Sequence, residues 1–143
     1  MARNYPEEII EKIRQEVKMR TYDDKYLDQN EEKEILRVAI TLKMDVDDAL
    51  SFIVSVCGEI GAVCERHIEN TCKDLLKVYA ENDGKVDKKE FEDVTQVYLN
   101  KTSGRVSKLD AQKRLKQLML KNRWVAKEGG LFGTKWFSGI PLD

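Results

Sequence analysis

The string ENDGKVDKKEFEDV, residues 81–94, carries the acids and the glycine of a calcium loop. Loops of the EF-hand type hold Ca²⁺ through oxygen ligands at loop positions 1, 3, 5, 7, 9 and 12, with glycine at 6. With Gly84 at position 6, Asp83 falls at 5, Val86 at 8, Asp87 at 9 and Glu90 at 12. Tyr79 then falls at position 1, where the pattern needs Asp, and Glu81 at position 3. Losing the first carboxylate removes an anchoring ligand. Asp83, Asp87 and Glu90 are therefore the metal candidates of a loop that is not expected to hold Ca²⁺ at cytosolic levels, and no cofactor is expected.

A second set with chemical potential is Cys57, Cys64, His67 and Cys72. Structural zinc uses a tight Cys-x₂₋₄-Cys pair. Here the gaps are six, two and four residues, and no second pair exists. Cys57 and Cys64 share an apolar helical face with Ile60 and Ile68, so they read as small buried hydrophobes. His67 is the single histidine. There is no phosphate loop, dinucleotide fingerprint or nucleophile elbow. Catalysis is not expected.

The third set is basic. Residues 101–143 hold ten Lys/Arg and three Asp/Glu, a net +7, whereas residues 1–100 are net −8. Such a split points to different partners for the two parts. Lys113, Arg114, Lys116, Lys121, Arg123, Lys127 and Lys135 are the candidate phosphate contacts. On a helical wheel Ala111, Leu115, Leu118 and Met119 form one face, and Lys113, Lys116 and Gln117 point away from it. Leu109 and Leu120 fall outside the apolar face, which calls for a second apolar contact there.

The elements that must position these groups are mostly helical. Pro6 with Glu7 and Glu8 starts a helix, and Ile9, Ile10, Ile13 and Val17 keep its 3.6-residue stripe. Further helices are expected from Asp28 to Lys43, from Asp45 to the glycines at 58 and 61, through Val63 to Tyr79, from Asp87 to Leu99, and from Ser107 to Asn122. The period then changes. WVAKEGGLFGTKWF, with Gly129 and Gly130 between two short aromatic and β-branched runs, reads as a hairpin. The expected fold is mainly α, a bundle of about six helices with a C-terminal β-hairpin.

The acidic string also has a local reading. DKYLDQNE, DGKVDKKE and SGRVSKLD share one form: a turn, then Leu or Val, then Asp or Ser, then an acid three residues on. That is a hydrophobic staple, an N-cap and a capping partner. Leu27, Val86 and Val106 are the staples. Asp28, Asp87 and Ser107 are the caps, with Glu31, Glu90 and Asp110 as partners.

Turn–helix units of this kind, DDKYLDQNEEKEIL and ENDGKVDKKEFEDV, resemble the tellurite-resistance TerB-like helical domains over residues 20–100. The resemblance implies an all-helical fold of antiparallel pairs, a role in stress or defence modules, and acidic clusters for a divalent cation at Asp24, Asp28 and Glu31 and at Asp83, Asp87 and Glu90. In the first copy Lys25 replaces the turn glycine, and in the third Ser103 and Ser107 replace acids. SKLDAQKRLKQLMLKNRWV followed by EGGLFGTKWF resembles the last helix and wing of winged-helix domains. The expected division is a TerB-like acidic domain at 1–100 and a basic winged-helix-like unit at 101–143.

The start, MARNYPEEIIEKI, lacks an apolar core segment, and the longest apolar run, residues 49–58, is about half the ~20 residues a spanning helix needs. A cytoplasmic protein with reduced thiols and no membrane contact is expected. The expected function is a non-enzymatic binding module of a stress or defence system that contacts nucleic acid through its basic end. The alternatives are a protein–protein adaptor, for which the acidic half of a sister subunit is one candidate surface, and a module that binds a divalent cation.

Overall fold

The computed structural model describes residues 4–129 and 135–142. Among the described residues the fold is mainly α, with six helices and short strand pairs. It divides into two compact units, residues 1–67 and 68–143. Helices α1 (Glu7–Thr21), α2 (Gln29–Thr41) and α3 (Val46–Ile60) belong to the first unit, with strands β1 (Tyr26–Leu27) and β2 (Val63–Cys64). Helix α4 (Glu65–Tyr79) starts just before the division. The second unit continues with β3 (Lys85–Val86), α5 (Lys88–Lys101), α6 (Lys108–Lys121) and β4 (Val125–Ala126).

Both units follow one plan: helix, tight turn, two-residue strand, capped helix, second helix, then a strand that returns to the first. In the first unit β1 pairs in parallel with β2, with Tyr26 opposite Val63 and Leu27 opposite Cys64. In the second, β3 pairs in parallel with β4, with Lys85 opposite Val125 and Val86 opposite Ala126. The match extends to single hydrogen bonds. Val63 N donates to Lys25 O at 2.9 Å, and Val125 N to Gly84 O at 2.8 Å. Asp24 accepts from Tyr26 N at 3.1 Å, and Asp83 from Lys85 N at 3.0 Å. Ala62 N reaches Cys57 O at 2.8 Å, and Trp124 N reaches Met119 O at 2.9 Å. The chain is a structural duplication.

The turn between helix and first strand needs a left-handed residue. Gly84 supplies it at φ 72°, where it has no Cβ to strain. In the first unit Lys25 takes the same role at φ 54° and bears the cost.

The capping strings act as their spacing predicts. The Asp28 side chain accepts from Glu31 N at 2.7 Å while Glu31 returns to Asp28 N at 3.1 Å. Asp87 and Glu90 do the same at 2.7 and 2.9 Å. Ser107 Oγ accepts from Asp110 N at 3.1 Å. The staples Leu27, Val86 and Val106 are buried. Asp87→Ala is expected to lower stability by about 1 kcal/mol through the lost cap, measured as a reduced urea midpoint at unchanged slope.

The first core gathers Ile13, Val17, Leu27, Ile35, Ala39, Met44, Ala49, Ile53, Val56, Cys57 and Cys64. The second gathers Cys72, Leu76, Phe91, Val94 and Tyr98 with Val106, Leu115, Met119, Phe137 and Ile140. The division therefore falls after His67 and not at residue 100, because side chains from both sides of 100 fill one core. Phe91, Trp136 and Phe137 form an aromatic trio, with ring centroids 5.2 to 6.1 Å apart.

Two expected elements differ in detail. Val63 does not lie in a helix; it opens β2, and α4 begins two residues later. The first run of the expected C-terminal hairpin is described, and its pairing differs from a hairpin's. Its first strand, β4, takes β3 as a parallel partner. Residues 136–139 form a turn that side chains tie back: Trp136 Nε1 donates to Lys127 O at 3.0 Å, and Glu128 accepts from Phe137 N and Ser138 N, each at 2.9 Å. Gly130 and the run 131–134, including Phe132, lie outside the described residues. Among the described residues, no helix is long and apolar enough to cross a membrane.

Candidate functional site

The candidate basic contacts separate into three groups. Lys116 is buried, which corrects its placement on the outward face of α6. Its Nζ donates to Phe137 O at 2.9 Å and Ile140 O at 2.8 Å, and lies 5.0 Å from the Phe137 ring centroid. The residues after β4 fold over this part of α6 and bring their carbonyls to the ammonium, which a wheel drawn for the helix alone does not show. A phosphate cannot reach it there.

Two more are engaged by neighbours. Arg114 Nη1 donates to the Tyr98 hydroxyl at 3.0 Å. Lys127 Nζ lies 3.4 Å from Asp83 Oδ2. Lys127 is nonetheless exposed and Arg114 half-buried; of the other four, Lys113 is half-buried, and Lys121, Arg123 and Lys135 are exposed. Arg123 occupies a left-handed turn at φ 61°, the position that Gly61 fills in the first unit at φ 71°.

The acidic candidates are committed to the backbone. Asp83 holds its turn, and Asp87 and Glu90 cap α5. The Lys85 amide, and then the Lys127 ammonium, hold the Asp83 carboxyl below its usual range. Among the described residues no three His, Cys, Asp or Glu side chains converge as a metal set. Calorimetric titration with Ca²⁺ is expected to show no site with a dissociation constant below about 10⁻⁵ M, the sensor range.

Charge divides between the duplicates. Residues 1–67 contain fifteen Asp/Glu and ten Lys/Arg, a net −5, and residues 68–143 contain eleven and fifteen, a net +4. Large apolar side chains also stand at the surface. On α6, Leu109 is 47% and Leu120 48% exposed. They are eleven residues apart, three helical turns, and so share a side, with Lys113 between them. In the first unit Met19 is 67% and Tyr22 81% exposed, beside the exposed acids Asp23 and Asp24.

The first unit also encloses a polar cluster. Glu32, 4% exposed, accepts from Arg66 Nε at 2.8 Å through Oε1, and Arg66 Nη2 also donates to Leu50 O at 3.2 Å. The Cys64 thiol lies 3.5 Å from Glu32 Oε2. Cys57, also buried, belongs to the same core as Cys64. The interaction of the two thiols pulls Cys64 down and pushes Cys57 up. The Tyr26 hydroxyl donates to the buried Glu65 carboxylate. Arg66 and His67 line an open cavity of about 330 Å³ with Leu50, Ser51 and Val54. Cys72 sits in the other core, where burial raises its pKa to about 12.

The residue types alone give little warning of Glu32, a charged side chain usually solvated. The available signal was its position, three and seven residues before Ile35 and Ala39 on the inward face of α2. Comparison of the chain with family models, with characterised proteins and with solved structures found no match.

Proposed function

We propose that the chain is a non-enzymatic protein-interaction module in which the α6 face of the second unit docks on the acidic first unit of another copy. The observation that carries this reading is the opposite charge of two units built on one backbone plan. A fold that forms at net −5 and again at net +4 requires neither value, so the charge serves the surface. The apolar groups support a protein partner. Leu109 and Leu120 flank Lys113 on one side of α6, while Met19 and Tyr22 stand beside Asp23 and Asp24 on the first unit. Each surface offers exposed apolar area with charge opposite to that of the other. Interfaces combine an apolar centre with a polar rim, and complementary potentials set their register.

Sedimentation velocity over a range of concentrations tests this reading. Mass should rise with concentration and fall back as salt is added. A monomer at every concentration would refute it.

A second reading, nucleic-acid binding, is favoured by Lys121, Arg123 and Lys135, which are exposed and have no ion pair among the described residues. Three phosphate contacts on duplex DNA would give a slope of log affinity against log salt near about −2.7. The likeness to TerB-like domains belongs to the proposal as well, and it adds a stress or defence setting.

A further inference from the structure

We propose that Cys57 and Cys64 are an oxidisable pair, converted by a small hydroperoxide into a disulfide that closes the first unit, with Glu32 accepting the Cys64 proton. Three positions converge there. Cys57 lies in the last turn of α3 and Cys64 in β2, and the chain reverses between them through Gly61, so that Ala62 N bonds back to Cys57 O at 2.8 Å. Both thiols are buried in the core of the first unit, where each shifts the titration of the other. Cys64 is in turn 3.5 Å from Glu32 Oε2, and Arg66 fixes that carboxylate from its other oxygen at 2.8 Å.

The duplicate shows what the fold alone demands. The positions that match Glu32, Cys57 and Cys64 in the second unit are Phe91, Met119 and Ala126, by cap register, by the returning hydrogen bond and by strand pairing. The same plan closes there with three apolar side chains. A buried carboxylate is costly unless it is paired, and an apolar replacement is commonly neutral or better. The first unit has nonetheless placed a carboxylate against two adjacent thiols. The thiolate is the reactive form of cysteine, and a fixed proton acceptor beside Cys64 provides a route to it. The Cys72 thiol, in the other core, donates instead to the Val94 carbonyl at 4.0 Å.

The step balances with hydrogen peroxide as the oxidant. The Cys64 thiol passes its proton to Glu32, and its sulfur attacks one peroxide oxygen. The O–O bond breaks, and the departing hydroxide takes the proton from Glu32 and leaves as water. Cys64 is then a sulfenic acid. The Cys57 sulfur attacks the Cys64 sulfur, the S–O bond breaks, and the hydroxyl leaves as water with the Cys57 proton. Two thiols and one peroxide become one disulfide and two waters.

The full chain, treated with hydrogen peroxide, denatured, alkylated and digested with trypsin, tests this directly. Cys57 and Cys64 fall in one tryptic peptide, residues 44–66, and Cys72 in another, residues 67–73. The expected result is peptide 44–66 lighter by two hydrogens and unalkylated, with Cys72 fully alkylated. Reactive thiols fall from three to one, and the oxidised protein melts at a higher temperature. Glu32→Gln should slow the oxidation at least tenfold. Cys57→Ser should leave Cys64 as a sulfenic acid that a dimedone-type reagent traps. Three thiols remaining, loss of Cys72 at the same rate as the pair, or sulfinic acid on Cys64 with Cys57 still alkylated would each overturn the proposal. The first measurement uses the unaltered protein, so it does not depend on whether a variant folds.

Discussion

Lys116→Ala is expected to destabilise the second unit by about 3 kcal/mol, because it deletes a buried charge that is fully engaged. The ammonium donates to Phe137 O at 2.9 Å and to Ile140 O at 2.8 Å, and lies against the Phe137 ring. Without it those carbonyls lose their donor, and α6 loses its tie to the C-terminal turn. Phe137 and Ile140 belong to the second core, so the loss spreads to the aromatic trio with Phe91 and Trp136. Urea unfolding followed by tryptophan fluorescence reads this directly, since Trp124 and Trp136 are the only tryptophans and both lie in this unit. Lys121→Ala serves as the control. It is exposed at the end of α6, and its effect should stay within about 0.5 kcal/mol. Equal small effects for both would mean that Lys116 does not hold the turn.

Leu120→Asp is expected to weaken association between copies at least tenfold, about 1.4 kcal/mol or more, without loss of the fold. Leu120 is about half exposed, so the core does not need it. Docking would bury the remaining apolar area, and Asp removes that gain. Asp also sets a negative charge against the acidic surface that bears Asp23 and Asp24. Leu109→Asp, three turns away on the same side, should act in the same direction. Normal unfolding of both variants, together with unchanged association, would show that this side of α6 is not the contact.

Much of the fold could be read from local sequence signals. The three capping strings mark helix starts because an N-cap is a contact between residues three apart. The stripes of Ile13 and Val17, or Ile35 and Ala39, mark inward faces by period alone. Leu109 and Leu120 also stood out, since they break the stripe of their own helix, and both are exposed.

What was not legible depends on distant contacts. β2 and β4 are two residues long, too short to alternate, and each exists only because a turn in the same unit accepts it. The duplication was hidden for the same reason. Equivalent positions carry different residues, Lys25 against Gly84 and Gly61 against Arg123, because the shared feature is a left-handed backbone rather than a side chain. The third copy of the string matched the others as a cap, but it opens α6 and so corresponds to the start of α3 at Asp45. A helical wheel places Lys116 outward because it knows nothing of the segment that folds over it. Of the seven candidate contacts, Lys116 alone is buried. The cluster of Glu32, Cys57, Cys64 and Arg66 forms only when α2, the end of α3 and the start of α4 meet.

The central claim is that one fold, used twice with opposite charge, carries complementary docking surfaces. Sedimentation velocity of the full chain at rising concentration, in ~50 mM and ~500 mM salt, tests it most directly, because at the higher salt exposed charges are screened within a few ångströms. The account predicts species larger than the monomer at low salt, a shift back toward monomer at high salt, and loss of the larger species in Leu120→Asp. A single monomeric boundary at all concentrations in low salt would contradict it.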